Sequence, residues 1–158
     1  MRVLTVAAAS IVFAAAAEAG PVTPQQVETV LQDHGASLSS AQGISDSAHL
    51  IKAELDDLTV HVRLDECDSS DRCGLVILYN AFETGEDIDE ATLQKTNTFN
   101  DRYPIGRAFA FASEDGNTNL IGIDYVIDVS GEATLDSADL TRFENAVDTY
   151  IRHWNTSR

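Results

Sequence analysis

Leu58, Val60, Val62 and Leu64 alternate with Thr59, His61, Arg63 and Asp65. A period of two predicts a strand with one buried and one wet face. Just upstream, Ile51, Ala53 and Leu55 alternate with Lys52 and Glu54, and Asp56-Asp57 turns the chain between the two strands. Leu75-Val76-Ile77-Leu78-Tyr79 is apolar at every position, which reads as a central strand covered on both sides. Arg107 to Ala112 sets Ala108, Ala110 and Ala112 against Phe109 and Phe111. Ile121, Ile123, Tyr125, Ile127 and Val129 line one face of the next strand. Glu114-Asp115-Gly116-Asn117 between them has the residues of a hairpin turn, with Asp-Gly supplying positive φ angles.

Helical signals bracket these strands. Thr23-Pro24-Gln25-Gln26 combines an N-cap, a proline at the first helical position and a capping box. Val27, Val30 and Leu31 form its stripe, and Gly35 ends it. A second helix starts near Asp87 or Asp89, carries Ala91, Leu93, Thr96 and Phe99, and stops before Pro104 and Gly106. Asp136 caps a third, whose stripe is Leu140, Phe143, Val147, Tyr150, Ile151 and Trp154. Residues 37–47 are small and polar, readable as a loop or as a weak edge strand around Leu38. The order α-β-β-β-α-β-β-α predicts an α+β fold, an antiparallel five-stranded sheet with helices on one face.

The first residues change the picture of where this fold works. Met1-Arg2 is followed by an almost unbroken apolar run from Val3 to Ala17, and Ala17-Glu18-Ala19 places small residues where a signal peptidase reads. Residues 1–19 are expected to be a cleaved signal peptide and residues 20–158 a single exported domain, periplasmic or secreted. The formal charge of -16 opposes binding to nucleic acid and to anionic lipid. The chain has two cysteines, Cys67 and Cys73. In an oxidising compartment a disulfide is the expected state, contributing about 2.4 kcal/mol before strain for so short a loop.

Candidate chemistry is thin. Asp124 and Asp128 share a strand face about 13 Å apart, too far for paired-carboxylate catalysis. They read instead as charges opposite Arg107 and Arg102. Residues 115–119 imitate the start of a calcium loop, but Leu120 stands where glycine is needed and Val126 where the bidentate glutamate is needed. His34, His49, His61 and His153 are scattered, and His61 is read as solvated. Neither a catalytic set, a cofactor motif nor a metal site is expected. Asp65, Glu66, Asp68 and Asp71 are read as sharing one end of the sheet with Glu83, Glu86, Asp87, Asp89 and Glu90. That end is a solvated rim, or a weak seat for a divalent cation or a basic segment.

Asn100-Asp101-Arg102, Gly106-Arg107-Ala108, Asp115-Gly116, Asp124 and Asp128-x-x-Gly131 together resemble the YbjN family, over roughly Thr23 to Trp154. The Cys67–Cys73 pair before an apolar strand is similar to exported members. The sequence departs from the pattern at Pro104-Ile105. The resemblance implies a fold like that of type III secretion chaperones, in which dimers are common. It implies a role in sensory transduction regulation, and it brings no enzymatic activity.

Two functions follow as expectations. The first is a non-enzymatic protein-interaction module, chaperone-like or regulatory, with a protein partner or a second copy. The second is a small-ligand-binding or hydrolytic protein with a pocket invisible in the sequence. For the first, the expected face lies within Leu75–Tyr79: either Val76 and Leu78, or Leu75, Ile77 and Tyr79, points at the partner.

Overall fold

A computed structural model describes residues 20–112 and 118–156. The chain enters through α1 (Pro24–Asp33), whose start is closed as its sequence predicts. The Gln26 amide donates to Thr23 Oγ1 at 3.3 Å, and the Thr23 amide donates to Gln26 Oε1 at 2.8 Å. Val27 and Leu31 bury completely.

Four strands follow, β1 (Ser37–Ser45), β2 (Ala48–Leu55), β3 (Leu58–Cys67) and β4 (Cys73–Glu83). α2 (Glu90–Arg102) then carries the chain to β5 (Arg107–Ala112), and β6 (Asn119–Asp128) leads into α3 (Ser137–Thr156). The sheet order is β1-β2-β3-β4-β6-β5, antiparallel throughout. β6 inserts between β4 and β5, so the β4–α2–β5 connection skips one strand and lays α2 across the sheet.

The sheet has six strands, not the five expected. The extra one is β1, formed by the small polar segment readable as a loop or a weak edge strand. Its side chains are almost all exposed, and its pairing with β2 is interrupted by irregularities at Leu38/Ser40 and Gly43/Ser45. Both faces of such an edge are wet, so it has no apolar period to betray it. Backbone pairing holds it, with Leu38 packed against the core.

The core lies on one side. Ile51, Ala53, Val60, Val62, Leu64, Val76, Leu78, Ile121 and Ile123 point at Val27 and Leu31 of α1, Phe99 of α2, and Leu140, Phe143, Val147 and Tyr150 of α3. β4 is central, as read, but it is covered on one side only. Val76 and Leu78 are fully buried, whereas Leu75, Ile77 and Tyr79 on the other face are only half-buried. Three helices span one face of a sheet this size and leave the second open.

Two helix starts follow their acids. Asp89 accepts from the Thr92 amide at 2.7 Å, and Asp136 accepts from the Ala138 and Asp139 amides at 2.8 and 3.1 Å. The Asp115-Gly116 hairpin turn and the signal segment lie outside the described residues.

Cys67 and Cys73 are directly paired across the β3–β4 hairpin and joined by a disulfide. Asp68 organises the enclosed loop. Its carboxylate accepts from the Ser70 and Arg72 amides at 2.7 and 3.1 Å, which holds its pKa below the usual range. The native protein is therefore expected to gain no mass on treatment with an alkylating agent, and to take up two alkyl groups after reduction. Uptake without reduction would show free thiols. A Cys67→Ser/Cys73→Ser variant should lose about 2 kcal/mol in denaturant melts.

Candidate functional site

The open face of the sheet gathers the side chains that the alternation leaves uncovered. In register across it stand Lys52, His61, Tyr79, Asp124 and Arg107, on β2, β3, β4, β6 and β5. The His61 ring stacks on Tyr79, with centroids 4.9 Å apart and planes inclined by 13°. This corrects the reading of His61 as solvated: the residue is half-buried, and its Nδ1 is buried without a partner among the described residues. Burial, then the Lys52 ammonium, lowers the His61 pKa, and burial raises that of Tyr79. The face presents a neutral aromatic pair at its centre.

Beside that pair Arg107 clamps Asp124. Nη2 and Nε donate to Oδ2 at 2.6 and 3.2 Å. Asp124 is 8% exposed, so the guanidinium is what makes a carboxylate tolerable there. The hydrogen bond to Asp124, with its charge, raises the Arg107 pKa further. Next along β5, Phe109 pairs with Gly122, and a Cβ at Gly122 would collide with the Phe109 ring and with the Asn80 carbonyl. The glycine is a slot for the aromatic ring. Phe111 and Val126 continue the apolar surface at 54% and 49% exposure. Arg63 and Asp65, paired at 2.8 Å, edge it with charge.

Most of the residues singled out in the sequence meet at the β5 edge, where they build rather than react. Asn100 on α2 accepts from the Ala108 amide at 2.7 Å and donates to the Ala108 carbonyl at 3.1 Å, pairing both backbone groups of an edge residue. Gly106 has φ 74°, and a Cβ there would lie 2.9 Å from the Asp124 carbonyl oxygen. Only glycine lets the chain turn into β5 so close to β6. Arg107 and Asp124 form the expected pair. Asp128 is elsewhere, holding the Ser130 amide at 2.9 Å and its hydroxyl at 2.5 Å. Arg102 ends α2 and makes no ion pair among the described residues, so the pairing read for it with Asp128 is not formed. Asp115 and Gly116 lie outside the described residues.

The acidic segments do not share one end of the sheet. Asp65 to Asp71 sit at the β3–β4 hairpin, and Glu83 to Glu90 follow the other end of β4, an 11-residue strand about 35 Å long. At the hairpin, His49, Cys67 and Cys73 bring donor atoms within 4.8 Å of one another, but both sulfurs are committed to the disulfide. His49 Nε2 lies 3.2 Å from Asp71 Oδ1.

Residues 23–154 match the family model of YbjN, whose description reads "Putative bacterial sensory transduction regulator". The fold is similar to a crystal structure of YbjN from E. coli, described as "a putative transcription regulator". The TM-score is 0.54 and the identity 14%, over 84% of this chain and 89% of that one. No curated protein matches the chain.

Two outcomes follow from the geometry. Arg107→Ala strands a buried carboxylate and should cost about 1 kcal/mol, the loss being limited by the exposure of the guanidinium. Gly106→Ala should cost about 2 kcal/mol through strain at positive φ. Urea melts measure both, and an unchanged midpoint for Gly106→Ala would contradict the close approach. A third outcome, from the burial of His61, concerns pH. His61 has a folded pKa below its unfolded value, so the unfolded state binds the proton first. Stability should be flat above the unfolded value near 6.5 and fall as pH drops through the folded value. His61→Phe should flatten the melting temperature between pH 7 and pH 5.5, and an unchanged slope would place the ring in water.

Proposed function

We propose, from the premise that the chain belongs to the YbjN family, that it is an exported regulatory module acting by protein–protein contact. It does no chemistry of its own and docks a second copy of itself through the open face of its sheet. One observation carries this reading. Leu75, Ile77, Tyr79, Phe109, Phe111 and Val126 form an apolar and aromatic surface that none of the described helices covers. A patch of that kind on a small domain marks an interface.

Charge favours a like partner. The chain is strongly acidic, yet the open face carries Lys52, Arg63 and Arg107 among Glu54, Asp65 and Asp124. Elsewhere two acidic molecules repel, while here cations and anions alternate and can face their own copies about a two-fold axis. The arrangement of groups supports contact rather than catalysis. Asp124 is spent on Arg107, and His61 is stacked against Tyr79. Export rests on residues 1–19, and a disulfide at Cys67–Cys73 accords with an oxidising compartment.

Light scattering across a concentration series tests the reading. A dimer is expected at high concentration. Ile77→Asp on the open face should give a folded monomer, whereas Val76→Asp, beneath the helices, should give a misfolded protein by circular dichroism. A strict monomer at every concentration, or an Ile77→Asp variant that still dimerises, would overturn it.

A further inference from the structure

We propose a binding site for an aliphatic polyamine, a flexible chain bearing several ammonium groups, in the cleft between α2, the end of α3 and the loop after β4. It lies apart from the open sheet face and stands independently of it. The cleft has a volume of about 820 Å³, within the range of small-molecule sites.

Its floor is aromatic. Phe82 stacks on Tyr150 at 6.3 Å and Tyr150 on Trp154 at 5.6 Å, ring centroid to centroid. Its rim is acidic, with Glu83, Glu86, Asp87 and Asp89 against Lys95, the one Lys or Arg among the described residues that line it. That lysine shows what the floor accepts. Its Nζ lies 4.6 Å from the Trp154 ring centroid and donates to the Trp154 carbonyl at 2.5 Å, so an ammonium already rests on this surface. Tyr150 lies beneath that floor. It lines the cleft, is 1% exposed, and its hydroxyl has no partner among the described residues.

The combination selects a ligand class. Methylenes would lie along the rings while ammonium groups meet the carboxylates. A metal ion would use the rim and leave the floor idle. An anion would be repelled. Asp89 stays ionised, its pKa held down by the Thr92 amide at the start of α2.

Calorimetric titration of the purified protein with spermidine in 150 mM salt tests the proposal, with the fluorescence of Trp154, the chain's one tryptophan, as a second readout. Saturable binding is expected, and the fluorescence change should follow the same curve. A Glu86→Gln/Asp87→Asn variant, altered at two exposed rim positions, should bind at least tenfold more weakly. Asp46→Asn/Glu132→Gln, the same change of charge at two exposed positions at the other end of the sheet, should bind as the parent does. Circular dichroism verifies that both variants are folded. Absence of binding, equal weakening by both variants, or magnesium reproducing the calorimetric and fluorescence curves would overturn the proposal, since each denies a site made from this floor and this rim.

Discussion

Along β4 the side chains of Val76 and Leu78 point into three helices, while those of Leu75, Ile77 and Tyr79 point away from them. The rest of the molecule follows from that division. The helix-facing set needs apolar partners, and α1, α2 and α3 supply them from Val27, Leu31, Phe99, Phe143, Val147 and Tyr150. Among the described residues, the opposite set has only its cross-strand neighbours. His61 closes over Tyr79, Phe109 lies on Gly122, and Arg107 neutralises Asp124. These contacts half-bury the open face without removing it from water. The sheet therefore carries an apolar surface that none of the described helices covers.

The β5 edge shows how the family pattern works physically. An edge strand of six residues rich in alanine buries little by itself. Asn100 ties its backbone to α2, Gly106 lets it start against β6, and Arg107 anchors it to Asp124. The three positions look like candidate chemistry when seen as a string of polar residues and glycine. In space they are a hinge, a clip and a clamp around one short strand.

Much of this was legible in the sequence where a single element determines the outcome. The capping box at Thr23, the alternation in β3 and the stripe from Leu140 to Trp154 are local patterns, and each element forms where its pattern lies. β1 reads as no more than a loop or a weak edge strand, because a strand exposed along almost all of its length has no apolar period. The burial of His61 escaped because it comes from Tyr79, a neighbour across the ladder rather than along the chain. The two acidic segments look like one cluster along the chain, but the length of β4 holds them at opposite ends of the sheet. Gly122 carried a signal that could have been used: a glycine inside an otherwise apolar strand marks a close approach, here by Phe109. The cleft could not be read in advance, because Trp154 meets Lys95 only once α3 has packed beside α2.

The central claim is that one face of this sheet is core and the other is a contact surface. Methyl NMR with a soluble paramagnetic agent tests it residue by residue. In dilute protein the agent should broaden the methyl signals of Ile77 and Val126 and spare those of Val62, Val76 and Ile123. As the protein is concentrated, Ile77 and Val126 should become protected while the core signals stay unchanged. Broadening of Ile77 and Val126 that persists unchanged to high concentration would contradict the account.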